Sequence, residues 1–251
     1  SAAFFVQAGF VNGQFTPFVV EDSGGGQSYP RAGGSVIVWN EFSNGQFIVR
    51  GKNIATGNIF EIAVPGFILL NPDTNGSIVT WSDNRTGQSA LYAMDVQSGQ
   101  QWAMGDGITH SNALSEDYVI WTAGAFIYAL DLHTSQQFPV CTTNGVAPVT
   151  SLDVSGNVVV WQDPRKTYLP PGNEVYGCDI ETGQKFLIAS DSDYKGQGDP
   201  AMGGDIVVWV DSHSPQHIMA YDMSTDMKSA ISMDPADNIV SQVFPDIDGR
   251  Y

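Results

Sequence analysis

The chain has 251 residues, 42% hydrophobic and 15% charged, with 27 acidic against 10 basic side chains and a formal net charge of −17. That length and apolar content are enough to bury a core. A surface this negative repels phosphate backbones, which argues against a nucleic-acid partner, and the chain lacks the long uncharged apolar run that membrane insertion needs.

The chain opens on Ser1-Ala2-Ala3-Phe4-Phe5-Val6 without a basic segment. It reads as the start of a secreted protein after removal of a leader, or as a trimmed end. Residues 4–14 follow as a hairpin turning at Asn12-Gly13.

A repeat then begins. Short β-branched runs end on Trp39, Trp81, Trp121, Trp161 and Trp209, at intervals of forty to forty-eight residues. Runs such as Ser-Val-Ile-Val-Trp39 and Asn-Val-Val-Val-Trp161 are the pattern of buried strands, so all five indoles are assigned to the core. Each is followed by a polar hairpin and a second repeating block. The block reads Leu91-Tyr92-Ala93-Met94-Asp95 with Ser98-Gly99 in the second repeat. It returns as Ile127-Tyr128-Ala129-Leu130-Asp131 in the third and Val175-Tyr176-Gly177-Cys178-Asp179 with Thr182-Gly183 in the fourth. Asp95, Asp131 and Asp179 are expected to accept backbone N–H bonds across a tight turn, with glycine taking the positive-φ position.

Each repeat therefore predicts four short antiparallel strands, and one such sheet cannot cover both its faces. Sheets set radially cover one another, which makes the chain an all-β propeller in one domain over residues 1–251. Repeats start near 35, 77, 117, 157 and 205. Residues 1–28 and 242–251 are assigned to a closing sixth blade shared between the ends, five blades being the alternative. These two segments are short of four strands, so the closing blade calls for completion in this chain or by a strand of another.

Among the remaining signals, Cys141 and Cys178 fall in adjacent repeats and read either as one bridge or as two buried thiols. Asn75-Gly76-Ser77 and Asn84-Arg85-Thr86 fit the glycosylation sequon and, equally, plain turn chemistry.

The order Trp-x-Asp-x-Arg-x-Gly followed by Leu/Ile-Tyr-x-x-Asp resembles that of TolB-like six-bladed propellers of microbial surface proteins. It stands as Trp81-Ser82-Asp83-Asn84-Arg85-Thr86-Gly87 with Tyr92 and Asp95, and as Trp161-Gln162-Asp163-Pro164-Arg165 with Tyr176 and Asp179. Trp209-Val210-Asp211 keeps only its start, Glu41 replaces the aspartate in the first repeat, and Ala123 does so in the third. The resemblance covers most of residues 29–251 and implies structural Asp–Arg pairs, Asp83 with Arg85 and Asp163 with Arg165.

Chemistry is sought on the irregular loops. Asp191, Asp193 and Asp199 lie on a glycine-turned segment whose spacing suggests a calcium loop, although Lys195 and Met202 occupy positions where ligands would stand. Asp211, His213 and His217 carry donors suited to a transition metal. Arg165, Lys166 and Tyr168 form a basic and aromatic contact surface on the longest hairpin, and Trp102 lies off the repeat as a candidate exposed indole. No catalytic motif is present. The expectation is an extracellular or cell-surface binding or structural module, a subunit of a layer or fibre completed by a partner strand. The alternatives are a secreted polysaccharide lyase or hydrolase and a carbohydrate-binding lectin.

Overall fold

Each tryptophan-ended run is the second strand of a four-stranded antiparallel sheet. The computed structural model describes residues 19–20, 25–64, 66–106, 108–145, 148–164, 172–190, 196–213, 216–231 and 245–247. Five such sheets and no helix lie among them, the number of the alternative reading. The chain divides into two compact units, residues 1–107 and 108–251.

The first unit holds two sheets. One comprises β1 (Gly26–Gly33), β2 (Val36–Ser43), β3 (Gln46–Asn53) and β4 (Ile59–Ile62). The other comprises β5 (Leu70–Thr74), β6 (Ile78–Asp83), β7 (Ala90–Asp95) and β8 (Gln101–Asp106). Val36, Val38, Val49 and Ile62 of the first pack against Val79, Trp81, Ala90 and Tyr92 of the second. Neighbouring sheets thus cover each other's faces.

The second unit holds three sheets. The third sheet is β9 (Ile108–Leu114), β10 (Tyr118–Ala123), β11 (Phe126–Asp131) and β12 (Gln137–Thr142). The fourth is β13 (Leu152–Ser155), β14 (Val158–Pro164), β15 (Asn173–Asp179) and β16 (Lys185–Ala189). The fifth is β17 (Gln197–Gly203), β18 (Ile206–Asp211), β19 (His217–Asp222) and β20 (Met227–Ala230). Ile120, Ile127 and Ala129 pack on Val154, Val159 and Trp161, while Val160, Val175 and Ile188 pack on Met202, Val207 and Trp209. Cys141 on β12 and Cys178 on β15 form a disulfide with Cα atoms 6.6 Å apart, fastening the third sheet to the fourth.

Every sheet opens one strand before the repeat boundary read from the sequence. Gly26–Ser28, which the repeat pattern gives to a closing blade, begin β1 of the first sheet. The other residues of that blade lie outside the described ones, apart from residues 19–20 and 245–247.

The turn between third and fourth strands is the same in every sheet. Asp95 Oδ1 accepts the backbone N–H of Ser98 at 2.7 Å and its hydroxyl at 2.8 Å. Asp131 accepts the amides of His133 and Thr134, Asp179 the amide and hydroxyl of Thr182, and Asp222 the amide and hydroxyl of Ser224. The turn closes on a residue of positive φ: Gly57, Gly99 and Gly183, but Ser135 at 58° and Asp226 at 56°. The backbone demands the left-handed region there, and two sheets meet the demand without glycine.

Candidate functional site

Residues two apart on a strand share a face, so an acid two places after the tryptophan lies within reach of its indole. Trp81 Nε1 donates to Asp83 Oδ2 at 3.0 Å, and Trp161 Nε1 to Asp163 Oδ2 at 3.0 Å. In the first sheet Trp39 Nε1 donates to Glu41 at 3.2 Å. The tyrosine of the second block lies directly across the sheet from the tryptophan and stacks on it, with centroids 6.0 Å apart for Trp81–Tyr92, 5.9 Å for Trp121–Tyr128 and 5.8 Å for Trp161–Tyr176.

A cation completes each acidic cluster, and its source varies. Arg85 binds Asp83 through Nε and Nη2 and lies 3.9 Å over the Tyr92 ring, the carboxylate holding the guanidinium pKa above its usual value. In the fourth sheet Lys185 from β16 stands 3.5 Å from Asp163 and 3.9 Å over Tyr176. In the first, Arg50 on β3 bridges Glu41 and Glu61 at 3.2 and 2.7 Å. Sequence reasoning found Arg85 and missed Arg50 and Lys185, which come from other strands; only the cross-strand register could have pointed to them. Burial and a hydrogen bond to Glu174 push the Tyr176 hydroxyl up to about 12. The groups of the first and second sheets are engaged within those sheets, whereas Asp163 also accepts the amide of Asn144 at 2.8 Å and Lys185 donates to the carbonyl of Thr142 on β12 at 3.1 Å, so this pair also ties the fourth sheet to the third.

The fifth sheet departs from the rule. Asp211 keeps the acid position but turns to His213, Oδ1 lying 2.5 Å from Nδ1. Burial would raise the Asp211 pKa, yet the bonds from His213 and Gln197 bring it below the usual carboxylate value. Gln197 of β17 takes over the indole, accepting Trp209 Nε1 at 2.6 Å. His217 lies across the sheet from Asp211, but no group of three metal-binding side chains forms among the described residues.

Beside this departure a polar cleft of about 220 Å³ separates the fourth and fifth sheets, within the second unit. Gln162, Asn173, Gln197, Asp199, Ser212 and Gln216 line it. Gln162 Oε1 accepts the Asp199 amide at 2.9 Å, and a Cβ on Gly198 would come within 2.5 Å of that same oxygen, so a larger residue there would displace the Gln162 amide from this bond. Burial raises the pKa of the half-buried Asp199 carboxyl, which no described cation neutralises. The lining offers paired amide donors and acceptors with one carboxyl, a set suited to hydroxyl-rich or cationic ligands.

Of the loop candidates, Asp199 thus lies in the cleft. Asp191, Asp193, Arg165, Lys166 and Tyr168 lie outside the described residues. Trp102 is half-buried on β8, across from Ala93.

A second site is the edge of β1, which among the described strands pairs only with β2. Asp153 on β13 accepts the amide of Val154 on Oδ1 at 2.8 Å, which turns Oδ2 outward to accept the amide of Met202 on β17 at 2.8 Å. Ser155 Oγ accepts Gly204 N beside it at 3.0 Å. Met202 and its neighbours from Pro200 to Gly203 are buried under this clasp. β1 has the same register, with Ala32 facing Ile37 as Met202 faces Val207, and the same bulge. Yet Tyr29, Pro30, Arg31 and Ala32 are all exposed.

No protein-family model matches the chain, and no curated protein matches it by sequence. Solved structures do match its fold. TolB from Acinetobacter baumannii superposes with a TM-score of 0.55 at 15% identity, over 74% of this chain and 49% of that one. A TolB-like protein from Agrobacterium tumefaciens gives 0.61 at 16%, over 86% and 83%. The β-propeller domain of the Trilobed protease from Pyrococcus furiosus, which has an open velcro topology, gives 0.64 at 13%, over 90% and 75%. The chain spans about half the length of the first of these. The fold is that of the TolB-like β-propellers.

Proposed function

We propose that this propeller is an extracytoplasmic binding or structural module that takes up a protein strand along the edge of β1. The observation that carries the reading is the exposure of Tyr29–Ala32, at the position where the same register buries Pro200–Met202. An exposed edge strand invites pairing with another chain. The Cys141–Cys178 disulfide supports a place in an oxidising compartment, and the net charge of −17 suits a surface that repels nucleic acid. Assembly into a surface layer or fibre follows from strand uptake that repeats from molecule to molecule. The test is surface labelling of intact producing cells, combined with cross-linking at β1. Labelling of the chain and a protein cross-linked at Tyr29–Ala32 are expected; a cytoplasmic chain with two free thiols would sink the reading.

The cleft favours a second reading, a small polar ligand such as a carbohydrate unit held by Asn173, Gln216 and Asp199. Titration with a panel of mono- and oligosaccharides, followed by the amide signals of Gly198 and Asp199, tests it. Unmoved signals across the panel count against it, and cleavage of an oligosaccharide would make the cleft that of a polysaccharide-active enzyme.

A further inference from the structure

The fold treats the two glycosylation sequons of the first unit differently. In Asn75-Gly76-Ser77, Asn75 Oδ1 accepts the amides of Ser77 and Ile78 at 3.0 and 2.9 Å, which fastens the side chain over its own turn. That turn also packs on the first sheet. A Cβ on Gly76 would lie 2.8 Å from the Gly33 carbonyl oxygen, and one on Gly33 would lie 2.7 Å from the Asn75 Cα. An enzyme reaching Asn75 would meet two hairpins packed backbone to backbone.

Asn84-Arg85-Thr86 lies in the hairpin between β6 and β7, and its three side chains part company. Arg85 folds inward. Its amide and guanidinium bind the buried Asp83 carboxylate, and it lies over the Tyr92 ring. Asn84 and Thr86, on either side of it, are exposed. The Asn84 carbonyl accepts the Gly87 amide at 2.9 Å, which closes the turn, and no described group bonds the Asn84 carboxamide. The Thr86 hydroxyl donates to the Gln88 carbonyl at 3.3 Å and keeps its lone pairs free to accept. A Cβ on Gly87 would have no neighbour within 4 Å, so the space beside the turn is open. The Asp83–Arg85 pair thus presents an asparagine and a hydroxyl two residues apart on a fixed, exposed turn.

We infer that Asn84 is an attachment site for an N-linked glycan. Asn84 Nδ2 attacks the anomeric carbon of a glycosyl diphosphate held by a transferase. The N–C bond forms, the C–O bond to the diphosphate breaks with its electron pair on the departing oxygen, and Nδ2 releases one proton. Thr86 supplies the hydroxyl that the sequon requires. The glycan adds a bulky, hydrated group to the surface of the second sheet. The inference rests on the extracytoplasmic placement proposed above, since sequons are used in secreted chains, and it is independent of strand uptake at β1.

The test is mass spectrometry of peptides from the full chain isolated from its producing cells, alongside the surface labelling of those cells. A glycan mass on the peptide carrying Asn84 is expected, with Asn75 bare. Asn84→Gln and Thr86→Ala should each lose that mass, and Thr86→Ser should keep it. Made without a transferase, the Asn84→Gln and native chains should unfold at the same denaturant midpoint, which separates loss of the sugar from loss of the fold. A lowered midpoint would make Asn84 a turn-forming residue and count against the inference. A surface-labelled chain with Asn84 bare overturns it and leaves the placement standing, as does a glycan on Asn75 with Asn84 bare. A chain confined to the cytoplasm overturns both.

Discussion

Asp153 Oδ2 accepts the Met202 amide at 2.8 Å, a bond across 49 residues that ties the first strand of the fourth sheet to that of the fifth. Its other oxygen is held by the amide of the next residue, so the carboxylate is aimed before the neighbouring sheet arrives. Asp153→Ala should therefore cost about 1.5–3 kcal/mol in denaturant unfolding, and Asp153→Asn much less. Equal losses for the two variants would show that the acceptor is not what matters.

Removal of Asp83 strands a fully buried indole N–H and an arginine lying over a ring. Asp83→Ala should cost about 3–5 kcal/mol. Hydrogen exchange should rise first along β6 and β7, because the cluster belongs to one sheet. A uniform rise across all five sheets would contradict that assignment.

Acid should unfold the chain through its turns. The Ser98 amide holds Asp95 below its ordinary value, the Thr134 amide does so for Asp131, the Thr182 hydroxyl for Asp179 and the Ser224 hydroxyl for Asp222. A folded pKa lowered beneath the ordinary 3.8 means stability that is present above that value and lost as pH falls through the folded pKa. Melting temperature should be flat near neutrality and decline below about pH 4. Changing all four to Asn should flatten that decline; an unchanged acid limb would place the effect elsewhere.

Ser135 holds a φ of 58° where the equivalent turns carry Gly99 and Gly183. Ser135→Gly should stabilise the protein by on the order of 1 kcal/mol, since a left-handed non-glycine residue pays that much in strain. Thermal unfolding reads the sign directly, and a destabilised variant would refute the argument.

The Cys141–Cys178 bridge closes a loop between residues 37 apart. The Cys141→Ala/Cys178→Ala variant should lose about 2–4 kcal/mol. The loss should appear as a separation of the third and fourth sheets in hydrogen exchange. A variant as stable as the native chain would make the bridge dispensable.

The sequence by itself determined the strands, their repeat and the burial of the five indoles, because an alternating β-branched run ending in Trp has nowhere dry to sit except between stacked sheets. It also determined the aspartate turns, whose donors lie two and three residues away and need no tertiary partner. Only the tertiary structure decided that Lys185 serves Asp163 and that Gln197 replaces Asp211 at Trp209, for those partners lie 22 and 12 residues away and meet through register. It likewise settled the pairing of the cysteines, the polar cleft at Asp199 and the contrast between a clasped β17 and the exposed Tyr29–Ala32 of β1. Each depends on which sheet stands beside which, and neighbouring residues carry no record of that.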